Sequence, residues 1–446
     1  MGLIDQIAAA GIVGCGGAGF PTHVKLKGNF EYFIINGAEC EPLLRTDRWL
    51  MRNKAAEIVK AVAAVADGLG IPNAVIGLKE HYEEETEALR KAIEEQGASV
   101  RLCLFDSFYP AGDEQALVYE VTGRVVPPAG LPGNVGAVVD NVATVYSIYW
   151  AMQGKPFIKK YLTVTGEVAH PVVVCVPVGT PLRRCVELAG GATISDPYYV
   201  SGGPMMGQTV ADIDSAVVTK TTSGILVLPS DGYHASQNAV PVKAMLNRAR
   251  SACIQCSFCT QLCPRHLLGH PLSPHKIMRK MSTGTDVKEL LDDPDIIRAQ
   301  LCCECGICET YACPMGLQPR RINSLIKREL GAAGVRYARA EGDLGPVSPL
   351  REERKVPTGR LASRAGVGKY FGLEPRELIC DEPDEVRIPL KMNIGAPSVP
   401  VVGEGDSVNR GDLIAAPKEG ALGANIHASI SGRIISVTDS ITIKGA

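Results

Sequence analysis

The chain has 446 residues, 46% hydrophobic and 21% charged, which excludes a disordered or collagen-like polymer and predicts two to four domains. A formal net charge of -2 leaves no overall basic footprint for nucleic acid or an anionic membrane. Apolar runs end at Gly, Pro or charge before the roughly 18 residues of a membrane span, and Met1-Gly2-Leu3-Ile4-Asp5-Gln6 reads as neither a signal peptide nor a myristoylation site, so a cytoplasmic location is expected.

Residues 1 to about 150 read as β-α-β-α-β behind a short helix, Leu3 to Ala10. Strand patterns fall at Glu31 to Ile35, Ala74 to Leu78 and Ser99 to Phe105, and helix patterns at Ala55 to Asp67 and Glu84 to Glu95. A Gly- and Pro-rich loop, Val125 to Gly136, precedes the apolar segment Ala137 to Ile148. Between Tyr161 and Pro229 short β-branched runs such as Val172 to Val176 surround one helix candidate, Pro181 to Leu188, which suits a small α+β module. Helix formers return from Pro241 to about Leu330, with candidates at Pro274 to Met281 and Asp295 to Gln300. Gly331 to Asp384 lacks periodicity and reads as a linker. Val386 to Ala446 has short strands and turn signals at Gly403 to Asp406, Asn409 to Asp412 and Ser431-Gly432, a small all-β domain.

Of 15 cysteines, eight lie in two tight runs, which favours metal-bound thiolates in a reducing compartment over disulfides. Cys253, Cys256, Cys259 and Cys263 spell C-x2-C-x2-C-x3-C-P; Cys302, Cys305, Cys308 and Cys313 spell C-x2-C-x2-C-x4-C-P. These are bacterial ferredoxin runs, in which the fourth cysteine ligates the other cluster. The expected sets are therefore Cys253, Cys256, Cys259 and Cys313 for one 4Fe-4S cube, and Cys302, Cys305, Cys308 and Cys263 for the other. Cys303 breaks the spacing and is expected not to be a ligand. Two structural zinc sites are the alternative, although zinc requires no fixed triplet. Arg265, Arg279, Lys280, Arg320, Arg321 and Lys327 lie near the ligands; they offset the anionic clusters or form a docking patch for an acidic electron carrier.

Gly14-Cys15-Gly16-Gly17-Ala18-Gly19 matches G-x-G-x-x-G, with Glu39 at about the Rossmann distance. A Rossmann loop must follow a strand, and here the preceding pattern is helical. The bare backbone instead suits close approach to a phosphate and an aromatic ring, with Pro21 starting the next helix; a plain turn is the alternative.

Gly14 to Lys25 (GCGGAGFPTHVK) resembles the flavin loop of the NADH-binding flavoprotein subunit of respiratory complex I, and Asn36 to Pro42 (NGAECEP) resembles its second flavin motif. Gly112-Asp113-Glu114 and Asp140-Asn141-Val142-Ala143-Thr144 are further matches. RnfC-type subunits are more similar, since their second motif also carries the cysteine. Tyr161 to Pro229, with Ser201 to Gly207 (SGGPMMG), resembles their β-grasp soluble-ligand-binding (SLBB) domain. Val386 to Ala446, with Ile394 to Pro397 and His427 to Gly432, resembles their barrel-sandwich domain, which RnfC carries at its N-terminus. The C-terminal position here is similar to that in PduS-type cobalamin reductases.

The resemblance implies a multidomain α/β and α+β fold: an FMN/NADH-binding α/β domain (1-155), a β-grasp domain (156-235), a helical two-cluster ferredoxin domain (236-335), a linker (336-384) and an all-β barrel-sandwich hybrid domain (385-446). Carried over by position, Gly16, Gly17, Gly19, Lys25, Asn36, Glu39, Asp113, Asn141 and Thr144 would hold FMN, with Gly112 beside them. Phe20, Glu41 and Glu114 would meet NADH, Phe20 by stacking on the adenine. Ala38 replaces an aspartate and Asp113 a glutamate of the complex I pattern. No lysine stands at Ser431-Gly432, so the barrel-sandwich domain is expected to dock rather than carry a lipoyl group.

The implied function is an NADH-oxidising electron-transfer flavoprotein, running from NADH to FMN to two 4Fe-4S clusters to an acceptor, without a protein acid or base. A corrinoid is one acceptor, and microcompartment residence would accompany it. The alternative is an NADH-input subunit of a larger redox complex, peripheral to a membrane, with ferredoxin or a partner enzyme as acceptor. A non-catalytic iron-sulfur scaffold is the third reading. No D-x-H-x-x-G cobalamin motif occurs, since Pro264 stands where His266-Leu267-Leu268-Gly269 would need the aspartate.

Overall fold

The computed structural model describes residues 2–283 and 286–445; Met1, Gly284, Thr285 and Ala446 lie outside the described residues. Strands β1 (Tyr32–Asn36), β2 (Asn73–Lys79), β3 (Val100–Phe105) and β4 (Ala137–Asn141) form a parallel sheet of order β3-β2-β1-β4. Phe33, Ile34 and Ile35 are fully buried, as a parallel strand covered on both faces requires. Helices α1 (Leu3–Ala9), α2 (Thr22–Lys25), α3 (Thr46–Asn53), α4 (Ala55–Leu69), α5 (Glu83–Gln96), α6 (Glu114–Thr122) and α7 (Val142–Met152) complete the unit. The apolar segment after the Gly/Pro loop thus divides into β4 and α7. Its breakpoint is Asn141, whose side chain accepts from the Ala143 N–H and starts the helix.

Strands β5 (Lys159–Gly166), β6 (Val172–Pro177), β7 (Pro197–Ser201), β8 (Gln208–Val210) and β9 (Gly224–Pro229), with helix α8 (Leu182–Leu188), build the second unit. Its six-stranded sheet has the order β10-β6-β5-β9-β7-β8, and β10 (Leu378–Cys380) comes from the connecting segment. That segment is packed from Arg351 onward. Leu361, Ala362, Ala365 and Val367 are buried in one apolar cluster with Tyr109, Met205 and Cys305, and Glu374 receives Arg45, Arg48 and Arg52.

Around the cysteine runs, helices Val242–Ala252, Pro274–Ser282 and Pro319–Ala332 share a core that includes Met245, Ile277, Met278, Ile322 and Ile326. The expected helix at Asp295 to Gln300 is a short α-turn, Pro294–Ile297, capped by Asp293, and then a 3-10 turn, Arg298–Leu301. The C-terminal strands form a four-stranded and a three-stranded antiparallel sheet. Asp406 and Asp412 close its turns by accepting from the Gly403 and Asn409 amides.

Candidate flavin and iron-sulfur site

The glycine loop leaves α1, bends through residues 15–18 and enters α2, whose N-cap is Pro21. Its three glycines have different physical reasons. A Cβ on Gly16 would lie 3.0 Å from Asn141 Nδ2, and one on Gly19, at φ +73°, would lie 2.7 Å from Thr221 Cγ2 of the neighbouring unit. Gly17 has no protein atom within 4 Å of its Cβ position and no positive φ. Protein packing explains Gly16 and Gly19, whereas the Cβ position of Gly17 is open.

The ends of β1 and β4 bring the other predicted residues to this loop. Thr144 is fully buried and its hydroxyl accepts from the Cys15 N–H at 2.9 Å. Asn141 Nδ2 donates to Asp47 Oδ2 at 2.6 Å, and Asn36 Nδ2 donates to the Gly112 carbonyl at 2.9 Å. Lys25 Nζ lies 3.1 Å from Glu114 and 3.8 Å from Asp140. Asp140 is buried with Oδ2 unpartnered among the described residues, and burial pushes its carboxyl up to about 6 in spite of Lys25. Glu39 (φ 36°) accepts from the Asp47 N–H at 2.9 Å, and burial with Asp47 nearby pushes its carboxyl up. Bare backbone at Gly17, the Lys25 cation and an open acceptor on Asp140 fit a flavin nucleotide.

Two predicted residues face other parts of the chain. The carboxylate of Glu41 accepts from the Met205 and Met206 amides, both at 2.9 Å, and burial pushes it up to about 7. Asp113 caps α6 through the Gln115 and Ala116 amides and binds Arg265 with both oxygens, and the guanidinium holds its carboxyl below the usual range. Phe20 is half-buried beside the loop.

The two cysteine runs fold as a structural repeat. Gln255 (φ 58°) and Ser257 (φ 64°) flank Cys256, and Glu304 (φ 59°) and Gly306 (φ 81°) flank Cys305, so the chain enters the left-handed region at matching positions. Three of these four residues are not glycine, a cost of about 1 kcal/mol or more each that ligation offsets. The match pairs Cys302 with Cys253 and Cys303 with Ile254, which sets Cys303 outside the ligand register. Cys253, Cys256, Cys259 and Cys313 line one cavity, so the fourth cysteine of the second run sits with the first three of the other. Cys263 lies near both Cys303 and Cys302, and Cys308 near Cys302, Cys259 and Cys263. Thiolates in this arrangement fit two four-iron cubes.

This inner set adjoins the flavin motifs. Arg265, two residues after Cys263, is the partner of Asp113, and the fully buried Tyr109 donates its hydroxyl to the Cys305 carbonyl at 2.7 Å. Sequence reasoning did not single out Tyr109 or Asp47, because neither belongs to a motif; both matter through contacts far along the chain.

Four family models match in chain order: the Nuo51 FMN-binding domain (residues 7–150), the SLBB domain (161–209), the 4Fe-4S dicluster domain (252–318) and the RnfC barrel sandwich hybrid domain (378–446). The cobalamin reductase PduS of Salmonella typhimurium is 42% identical over 443 residues, covering 98% of this chain and 95% of the relative. The chain belongs to the PduS family. The PduS of Citrobacter freundii is 41% identical over 441 residues, 98% of this chain and 95% of that one. An RnfC-type component of the Na(+)-translocating ferredoxin:NAD(+) oxidoreductase complex of Acetobacterium woodii is 38% identical over 272 residues, 59% of this chain and 57% of that relative. This PduS-family chain is an NADH-linked oxidoreductase that uses FMN and two 4Fe-4S clusters for electron transfer. Among the described residues no helix is long and apolar enough to cross a membrane.

Proposed function

We propose that the chain oxidises NADH at the glycine loop and delivers the electrons through its two cysteine sets, inner then outer, to a corrinoid acceptor. FMN supplies hydride acceptance and the cubes single-electron transfer. The observation that supports this order is the buried junction of Asp113 with Arg265, two residues after Cys263, and of Tyr109 with the Cys305 carbonyl, which joins the region of the flavin motif Gly112-Asp113-Glu114 to the cysteine runs. Of the inner set Cys263, Cys305 and Cys308 are buried and Cys302 is partly exposed, whereas Cys253, Cys256, Cys259 and Cys313 are all partly exposed. Around that outer set Ile254 (59%), Phe258 (48%) and Met315 (42%) present bare apolar surface, as an electron exit that meets a partner needs.

Gly17, Lys25, Asn36, Asp140 and Asn141 hold the flavin in this reading, and Phe20 offers its ring to the adenine of NADH. Glu114 is oriented by Lys25, and Glu41 fastens the SGGPMMG loop to the second flavin motif. The domains follow the boundaries 1-155, 156-235, 236-335 and 385-446, with 336-384 as a connection packed from Arg351 onward. The corrinoid rests on the relatives named cobalamin reductase, and residence in a microcompartment would accompany that acceptor. The likeness to components of ion-translocating complexes supports a second reading, an NADH-input subunit with a ferredoxin or partner enzyme as acceptor.

Stopped-flow reduction by NADH, then reoxidation by cob(III)alamin, ferredoxin or a viologen dye, tests both. Phe20→Ala should slow flavin bleaching by NADH, by a factor corresponding to about 1 kcal/mol. Cys259→Ser should leave bleaching intact and slow transfer to every acceptor. Parental rates with all acceptors in Cys259→Ser would show that electrons leave from the flavin. Ferredoxin outpacing cob(III)alamin would favour the second reading.

A further inference from the structure

A cavity of about 550 Å3 lies where α7, the start of β5 and the C-terminal β-domain meet. None of the predicted flavin or NADH residues lines it; it shares only Cys15 with the glycine loop. Aromatic rings form one side. Tyr146 meets Trp150 edge-on at 6.2 Å and Tyr161 edge-on at 5.6 Å, and Tyr161 also stacks on Trp49 at 5.8 Å. The charged lining is entirely basic: Lys155, Lys159, Lys160 and Arg410, with no acidic side chain.

Lys160 decides what such a lining is for. Its residue is 3% exposed, yet its ammonium is not among the fully enclosed polar atoms that lack a partner. The acid it faces is Asp47, whose Oδ2 already accepts from Asn141 at 2.6 Å. Lys159 and Arg410 share the single carboxylate of Glu382, at 3.0 and 2.6 Å. Lys155 lies 4.4 Å from the centre of the Trp150 ring. Four cations thus line the cavity against two carboxylates, Asp47 and Glu382, and an anion bound there would meet the excess positive charge. A phosphate suits Lys160 and Arg410, and a planar base suits Trp150 and Tyr161. The volume is within the usual range for small-molecule sites.

We propose that this cavity is a second nucleotide site, distinct from those of FMN and NADH, that takes a base-bearing phosphate with its ring against Trp150 and Tyr161 and its phosphate at Lys160 and Arg410. The exposed Cys380 lines the mouth and provides a reporter.

The test is equilibrium dialysis of the anaerobic holoprotein with ADP, AMP, adenosine and inorganic phosphate, together with maleimide labelling of Cys380 read by peptide mass. ADP should bind once per chain, more tightly than adenosine or phosphate alone, and slow the labelling of Cys380. Lys160→Met and Arg410→Gln should each weaken ADP by roughly tenfold or more, and Phe20→Ala should leave ADP binding unchanged. Arg410 is partly exposed, so its variant reports even if Lys160→Met fails to fold. NADH bleaching of the flavin should be parental in Arg410→Gln, which separates this proposal from the electron-transfer reading. Absence of ADP binding at millimolar concentration overturns it. So does loss of ADP in Phe20→Ala alone, which would assign the nucleotide to the NADH site. Loss of FMN from Lys160→Met with ADP binding unchanged in Arg410→Gln would make the cavity part of the flavin site and equally end the proposal.

Discussion

Gly17 and Gly19 stand two residues apart and answer to different forces. A Cβ at Gly17 meets open space, so in Gly17→Leu the melting temperature of the flavin-free protein should hold while bound FMN falls steeply, read by the flavin-to-protein absorbance ratio. Gly19→Ala forces a side chain into the left-handed region against Thr221 and should cost about 1–3 kcal/mol of stability whether or not flavin is present. Cys302 and Cys303 form a similar pair. Iron should be about eight per chain, unchanged in Cys303→Ser and reduced in Cys302→Ser; equal losses would move the ligand register by one residue. Asp140 gives the pH dependence. Its carboxyl rises from 3.8 to about 6 in the folded chain, so the protonated form is favoured there. That stabilisation is complete below the unfolded value and is lost as pH rises through the folded one. Asp140→Asn should flatten the fall in melting temperature between about pH 4 and pH 6; an unaltered fall would assign the slope to other carboxyls.

Among the elements, α6 bears the junction between the flavin unit and the clusters. Its cap, Asp113, holds the first-turn amides and Arg265 together, and both side chains are largely buried. Removing one member of such a pair leaves the other charge without compensation. Arg265→Met should therefore destabilise the chain by about 3 kcal/mol and make the inner cluster more labile to chelators than the outer one. Arg265→Met combined with Asp113→Asn should recover part of the loss, because the cap survives with an amide oxygen and the orphaned carboxylate is gone. A double variant no better than the single one would show that the pair does not act as a unit.

Across the whole molecule, Lys220 joins three units: from the β-grasp sheet its ammonium donates to the Gly11 carbonyl at the flavin loop and to the Asn425 carbonyl of the C-terminal domain, both at 2.7 Å. The residue is 1% exposed. Lys220→Met leaves two buried carbonyls without a donor, a loss of about 2 kcal/mol or more. Limited proteolysis should then release the C-terminal domain earlier than in the parent, while iron content stays the same. Equal cleavage rates would show that the sheet contacts alone hold the domain.

The sequence by itself determined whatever is local. The cysteine triplets, the helix behind the glycine loop, the strands from Tyr32 to Phe105 and the Asp-closed turns of the last domain follow from spacing and turn chemistry within a few residues, and their ends lie within one or two positions of the expected ones. Helices Thr46–Asn53 and Glu114–Thr122 were not legible, the second because Gly112 and an acidic start hide a short apolar stripe. Tertiary structure alone decided why Gly17 differs from Gly19 and where Glu41 and Asp113 point. It also packed residues 351–373 of the connection, although their sequence shows no period, because they fill gaps left by other elements rather than repeating one face of their own. Contacts such as Arg265 to Asp113 span 152 residues, and no window along the chain holds both partners.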